Sequence, residues 1–309
     1  MSKQIRLPWL SDLMLLLVAM VWGSSYGIVK GALVFYPVLG LLALRFGLTF
    51  AVLSPALRSL RQVRASTLAG TFGAGGLLLG IFLAETFGIL LTGASNAAFL
   101  VSLCMVLTPL VEWALLRRKP LSKEWGAVAL SLLGAWMLSG GTVVPGPGDA
   151  LILLAALLRA LNICVTKRVM RDAALAPLAV TAVQAGTVAG GSLIAALVFA
   201  PQSRTLPTLA GHGIFWSSVL YLVLACTLFA FFAQNYAVKH TSPTRVALLM
   251  GSEPVFGALF ACAWLGEKLS NWAWIGGGLI VAASLLATVR WGKETMAVVD
   301  LRPGASNDA

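Results

Sequence analysis

SDLMLLLVAMVWGSSYGIVK, residues 11–30, carries an aspartate near its start, a lysine at its end and no charge between them. At 1.5 Å per residue, a helix of this length crosses the ~30 Å hydrocarbon core of a bilayer. Lys3 and Arg6 precede the run, as basic residues precede the apolar part of a secretory leader. The apolar stretch is too long for such a leader and others follow it, so it reads as a first transmembrane helix that is retained.

Runs of the same kind recur outward from it. They place spans at 10–29, 35–55, 67–91, 95–116, 124–140, 149–166, 177–200, 214–237, 244–265 and 271–289. Overall 59% of the residues are hydrophobic and 11% charged, with mean hydropathy +0.91. Soluble domains carry roughly 25% charged residues, so a larger core does not explain the deficit. The fold class expected is all-α: a polytopic membrane protein of ten transmembrane helices joined by short connections. The polar tail, 291–309, is expected to be a disordered cytoplasmic segment.

A net charge of +11 raises the question of nucleic acid. The basic residues lie in short clusters between apolar runs, with no basic stripe interleaved with stacking aromatics, so nucleic-acid binding is not expected. Assigned to loops in turn, 17 of the 22 basic residues fall on the side of the N-terminus and three on the other. By the positive-inside rule both termini face the cytoplasm. Cys104, Cys164, Cys226 and Cys262 each sit in an apolar run, and His212 and His240 at span ends, so neither disulfides, a metal site nor any cofactor is expected.

The second half of the chain overlays the first. With an offset of 149, TGASNAAFL at 92–100 meets TSPTRVALL at 241–249, and the stretch 117–138 meets 266–287 with one small slip. Nearer the start of each half the offset is 137: SDLMLLL at 11–17 meets GDALILL at 148–154. Each copy, 10–140 and 148–290, holds five spans. An odd number forces tandem copies to enter the membrane in opposite directions, and inverted repeats are a construction of secondary transporters.

Taken in order and duplicated, several motifs resemble the EamA-type branch of the drug/metabolite transporter superfamily. They are WGSSYGIVK at 22–30, Pro37 followed by LALRFG at 42–47, TGASNAAFL at 92–100, SEPVFGALFACAWLGEKLS at 252–270 and IGGGLIVAASLL at 275–286. The resemblance covers roughly 10–290. It implies a basket of helices around a central cavity, and export of amino acids, other metabolites or drug-like compounds in exchange for protons or another solute. It also implies a bacterial-type inner membrane. Three positions depart from the pattern. Arg159 stands where its repeat partner is Trp22, Glu85 stands opposite Gln234, and Met105 rather than Pro109 matches Pro254.

Ionised side chains within a span need a partner or a wet cavity. Arg159 and Glu253 lie near mid-depth, Arg45 and Glu85 in the outer half. On a functional reading, Glu85 or Glu253 takes a cationic group or a coupling proton while an arginine takes a substrate carboxylate. A structural reading pairs Arg45 with Glu85 and Arg159 with Glu253. Trp22, Ser25 and Tyr26 are candidates to line a cavity, as are the amides Asn96, Asn162 and Gln234, although such residues also glue helices together. Pro109 and Pro254 are expected to break or kink their helices, with Arg45 as a structural or gating group. Asp12, Glu112, Asp149 and Glu267 fall at span ends and read as interfacial.

The function expected is a secondary active transporter working by alternating access on a small-molecule substrate, with the lipid bilayer as its other partner. Alternatives are an intramembrane lipid-modifying enzyme and a channel or sensor subunit. The first lacks a convergent nucleophile–base or metal cluster, the second rings of pore charge. Oligomeric state is left open.

Overall fold

The structure is a computed structural model that describes residues 8–92, 94–140, 146–172, 174–200, 202, 205–209, 212–265 and 269–288. The described residues contain helices and no strands. They are α1 (Pro8–Leu33), α2 (Val38–Leu53) with a 3-10 extension (Ser54–Gln62), α3 (Ala65–Leu91), α4 (Ala94–Ser102), α5 (Cys104–Leu116), α6 (Ser122–Leu138) and α7 (Asp149–Val169). There follow α8 (Pro177–Phe199), α9 (Gly213–Val223), a π-turn (Leu224–Phe229), α10 (Ala230–His240), α11 (Pro243–Met250), α12 (Glu253–Leu265) and α13 (Asn271–Thr288). The tail, 291–309, lies outside the described residues.

Seven stretches are long and apolar enough to cross a membrane: Trp9–Leu33, Val38–Gln62, Ala65–Leu91, Phe99–Leu116, Asp149–Val169, Pro177–Phe199 and Gly213–His240. The segments expected as the fifth, ninth and tenth spans are also helical, but shorter or interrupted. Large apolar side chains on the outward faces are bare, among them Ile194, Val198, Phe199, Trp272 and Trp274. Water would penalise that surface; lipid does not. The chain is an integral, polytopic helical membrane protein.

Between lipid-facing helices burial of apolar area supplies little drive, so close packing and small residues hold the bundle. α6 packs chiefly on α13, α2 on α8, and α3 on α7. At the α6–α13 crossing a Cβ on Gly134 would sit 2.5 Å from the Gly276 carbonyl, and one on Gly276 would sit 2.5 Å from that of Gly134. Only glycine lets these backbones meet. The same device joins α1 to α12, where a Cβ on Gly23 would lie 2.5 Å from the Glu253 carbonyl and 2.7 Å from the Gly257 nitrogen.

One of the two helix interruptions stands beside Pro254, as expected of a helix-breaking proline, and the other does not stand at Pro109. One falls at Leu103, the other at Gly251–Ser252. At the first, Leu103 N–H donates to Leu100 and Val106 N–H to Leu103; at the second, Ser252 N–H donates to Leu249 and Val255 N–H to Ser252. Each bond has its counterpart 149 residues on. Pro109 is instead buried inside continuous α5, six residues past the break. Pro254 stands second in α12, where the first turn needs no N–H from it.

Charged groups at the end of the bundle near the start of α1 are held in ion pairs and hydrogen bonds between helices. Glu112, expected at the interface, is buried and accepts from Thr244 N–H (2.9 Å) and from the Thr244 hydroxyl. Asp12 accepts two bonds from Arg245, at 2.6 and 3.0 Å. Lys167 Nζ donates to the carbonyls of Val238, Lys239 and Thr241 at 2.8–3.2 Å, satisfying acceptors that the end of α10 leaves open. At the opposite end Asp149 accepts from the Gly146 N–H at 2.7 Å and from the Thr92 hydroxyl. Glu267 lies outside the described residues.

Candidate functional site

Two cavities meet in the middle of the bundle. The larger encloses about 680 Å³ of empty space, counting its mouth, and is walled by α1, α3, α4, α5, α7, α10, α11 and α12. The smaller, of about 550 Å³, lies toward the C-terminal ends of α1 and α3 and the N-terminal end of α2. Trp22, Tyr26, Phe82, Arg159 and Glu253 line both and form the partition between them.

Arg159 is the centre of that partition. Its Nη1 donates to Glu253 Oε2 at 3.3 Å, its Nε lies 3.5 Å from Glu85 Oε2, and its guanidinium carbon sits 5.1 Å from the centroid of the Trp22 ring. Both ionic contacts are longer than the 2.7–2.9 Å of a tight charge-assisted bond. Glu253 also accepts from the Tyr26 hydroxyl at 2.7 Å and stands first in α12, where the helix terminus favours negative charge. Glu85 Oε2 is buried and accepts no hydrogen bond.

Arg45 corrects the expected pairing. Glu85 pairs with Arg159, whereas Arg45 donates through Nε to Thr227 Oγ1 (2.6 Å) and through Nη2 to the Cys226 carbonyl (3.2 Å). Its guanidinium lies against the rings of Phe46 and Phe82. The Cys226 carbonyl also takes the Trp22 indole N–H at 2.9 Å. Both acceptors lie in the π-turn, whose wider coil breaks the regular ladder and redirects polar groups sideways. The sequence shows no mark of that turn.

Eight of the nine residues expected to bind substrate or couple to it line one cavity or the other. Trp22, Tyr26, Arg159, Asn162, Gln234 and Glu253 face the larger, and Ser25 and Glu85 the smaller, which Trp22, Tyr26, Arg159 and Glu253 share. The side chain of Asn96 lies outside the described residues. Asn162 also donates across helices to the Ala74 carbonyl at 2.7 Å, and Ser25 to the Trp22 carbonyl of its own helix at 2.8 Å. Sequence reasoning missed Phe82 and Phe231, which wall the larger cavity. The signal was there, since they are repeat partners 149 residues apart.

That pattern extends to the wall as a whole. Val101 and Met250, Ser102 and Gly251, Cys104 and Glu253, and Met105 and Pro254 all line the larger cavity, each pair 149 apart. At the offset of 137, Trp22 pairs with Arg159 and Tyr26 with Ile163, again all in the wall. The stacked Trp22 and Arg159 are thus two positions 137 residues apart in sequence that touch each other.

A central cavity with aromatic walls and paired charges, enclosed by apolar helices, defines a membrane transport protein; among the described residues no cluster fit to hold a metal ion is present. The chain belongs to the EamA-like transporter family, which matches residues 9–140 and again 146–289. It is 28% identical over 277 residues to the uncharacterized inner membrane transporter YedA of Escherichia coli K12, covering 87% of each chain. An uncharacterized transporter of Archaeoglobus fulgidus is 27% identical over 289 residues, 91% of this chain and 86% of that one. The threonine/homoserine exporter RhtA of E. coli K12 is 33% identical over 187 residues, 58% of each. A solved crystal structure shares the fold with a TM-score of 0.73 at 20% identity, over 90% of this chain and 96% of the other.

Proposed function

We propose that this protein is a secondary active exporter of a small metabolite, such as an amino acid, or of a drug-like compound, and that it works by alternating access. On this reading ten helices cross an inner membrane as two inverted repeats, 10–140 and 148–290, with both termini in the cytoplasm. The larger cavity then faces the cytoplasm and the smaller the outside.

The observation that carries the reading is the cavity wall. It is built from positions duplicated at fixed offsets, and its centre is a contact between two of those positions, Trp22 and Arg159. A site lying where equivalent parts of two opposed halves meet is exposed to one side or the other as the halves rock. The matching interruptions at Leu103 and Ser252 support it, since each starts a half-helix whose first residues face the cavity. The resemblance to an exporter of threonine and homoserine supports the substrate class and direction. Within the site Arg159 receives an anionic group, and Glu85 or Glu253 receives a cationic group or the coupling proton. Asn162 and Gln234 contribute polar contacts, and the aromatic walls take the apolar remainder.

The test is efflux from cells preloaded with labelled amino acids and related metabolites, comparing wild type with Glu85→Gln and Arg159→Ala at matched membrane abundance. Faster efflux of one solute class by wild type, lost in either variant, is the expected result. Efflux that persists in both variants overturns the assignment of the site. No efflux of any tested metabolite or toxic compound by inserted protein overturns transport.

A further inference from the structure

Resting on the alternating-access reading, we infer that Lys30 and Lys167 are latches that take turns. In this structure Lys167 fastens α7 to the end of α10 on the cytoplasmic side. In the opposite state Lys30 fastens α1 to the end of α3 on the outer side, through the carbonyls of Ile89, Leu90 and Thr92, and closes the smaller cavity.

Four observations lead there. First, the two lysines stand at the offset of 137, each near the C-terminal end of its helix, yet only one is engaged. Lys167 Nζ donates to the carbonyls of Val238, Lys239 and Thr241 at 2.8–3.2 Å. Lys30 is exposed and makes no hydrogen bond or ion pair with another described residue. Second, the seat that Lys167 occupies exists twice. α10 ends at His240 and α3 at Leu91, 149 residues apart, and a threonine follows each. The two threonines share an extended backbone, with φ −136° and ψ 178° at Thr241 and φ −134° and ψ 164° at Thr92. At that offset the carbonyls holding Lys167 correspond to those of Ile89, Leu90 and Thr92.

Third, the last turn of α3 carries no basic residue of its own. A helix C-terminus leaves carbonyls without intrahelical donors and bears partial negative charge, so a lysine amine with three donors stabilises it. Fourth, the empty-handed lysine and its seat flank one cavity. Val29 on α1 and Ile89 on α3 both line the smaller cavity, so Lys30 and the end of α3 stand at its rim. Drawing the amine onto those carbonyls pulls α1 toward α3 across the opening. The bonds given up at one end are of the kind gained at the other, which keeps the two states close in free energy, as exchange between them requires. A lysine that only reached for lipid headgroups would have no such seat to match.

The experiment uses the full chain with its four cysteines replaced by alanine and a single reporter added, Thr86→Cys in the smaller cavity or Ala247→Cys in the larger. An impermeant maleimide is applied to intact cells for the first and to the cytoplasmic face of inverted vesicles for the second. Lys167→Gln is expected to speed labelling of Ala247→Cys by about threefold or more and to slow that of Thr86→Cys. Lys30→Gln is expected to do the reverse, and the double variant to bring both rates back toward wild type. A residue that merely props its own helix has no reason to move the two reporters in opposite directions. The inference is overturned if Lys30→Gln leaves both rates unchanged, or if the two variants move a reporter the same way. Lys167→Gln is read only where it keeps the wild-type membrane abundance; otherwise the Lys30→Gln shifts alone decide. An Ala247→Cys that stays unlabelled from the cytoplasm in every background overturns alternating access instead.

Discussion

Between Glu85 and Glu253 the Arg159 guanidinium holds contacts of 3.5 and 3.3 Å while resting on Trp22. Removing it leaves two buried carboxylates facing each other without a cation. Breaking a buried ion pair by deleting one partner costs about 3–5 kcal/mol, less where cavity water reaches the survivor. Arg159→Ala is therefore expected to lower the melting temperature markedly, and adding Glu85→Gln to restore part of the loss, because one orphaned charge is then gone. Thermal unfolding of the two single variants and the double measures this; additive effects would show that the residues do not interact. Tyr26→Phe removes only the 2.7 Å bond to Glu253. It is expected to cost about 1 kcal/mol and to leave the protein inserted and folded.

At the scale of helices, the sequence marked where the elements lie but only in part where they bend. Apolar runs placed the α-helices to within a few residues but not the 3-10 extension Ser54–Gln62, because a bilayer demands a fixed length of apolar side chains whatever they pack against. The interruption beside Pro254 was legible as a proline break, whereas the one at Leu103 and the π-turn escaped, and the π-turn is held by what other helices contribute. Trp22 and Arg45 donate to the π-turn from two other helices, and no local sequence shows that. Thr227→Val is expected to release Arg45, to destabilise the protein by about 1 kcal/mol and to raise amide exchange in the π-turn, read by hydrogen-exchange mass spectrometry. Gly23→Val is expected to do more. Its side chain would drive α1 off α12 and pull Tyr26 from Glu253, so binding of any substrate should fall at least tenfold in titrations of folded protein.

For the molecule as a whole, charge sets orientation and contacts set closure. The positive-inside count predicts that a cysteine at Ser59, on the exposed 3-10 segment, is cytoplasmic, and that one at Thr205 is outside. In intact cells an impermeant maleimide is expected to label the second and not the first; the reverse pattern would overturn the proposed topology. The cytoplasmic end of the bundle on that topology is tied by Asp12 to Arg245, Glu112 to Thr244, and Lys167 to the end of α10. Exchanging the charges with Asp12→Arg and Arg245→Asp should recover most of the stability lost by either change alone, as melting curves would record.

Hydropathy, charge and the two offsets determined by themselves that this chain is a membrane protein of apolar helices and which residues are chemically out of place among them, and its motifs gave the family it resembles. Those properties follow from a solvent that acts on each segment separately. Tertiary structure decided the rest. It gave Glu85 to Arg159 and Arg45 to the π-turn, placed the first break away from Pro109, and buried Glu112. Partners of buried charges are set by distances between helices far apart in sequence, and those distances arise only when glycines such as Gly23 and Gly134 let the backbones touch.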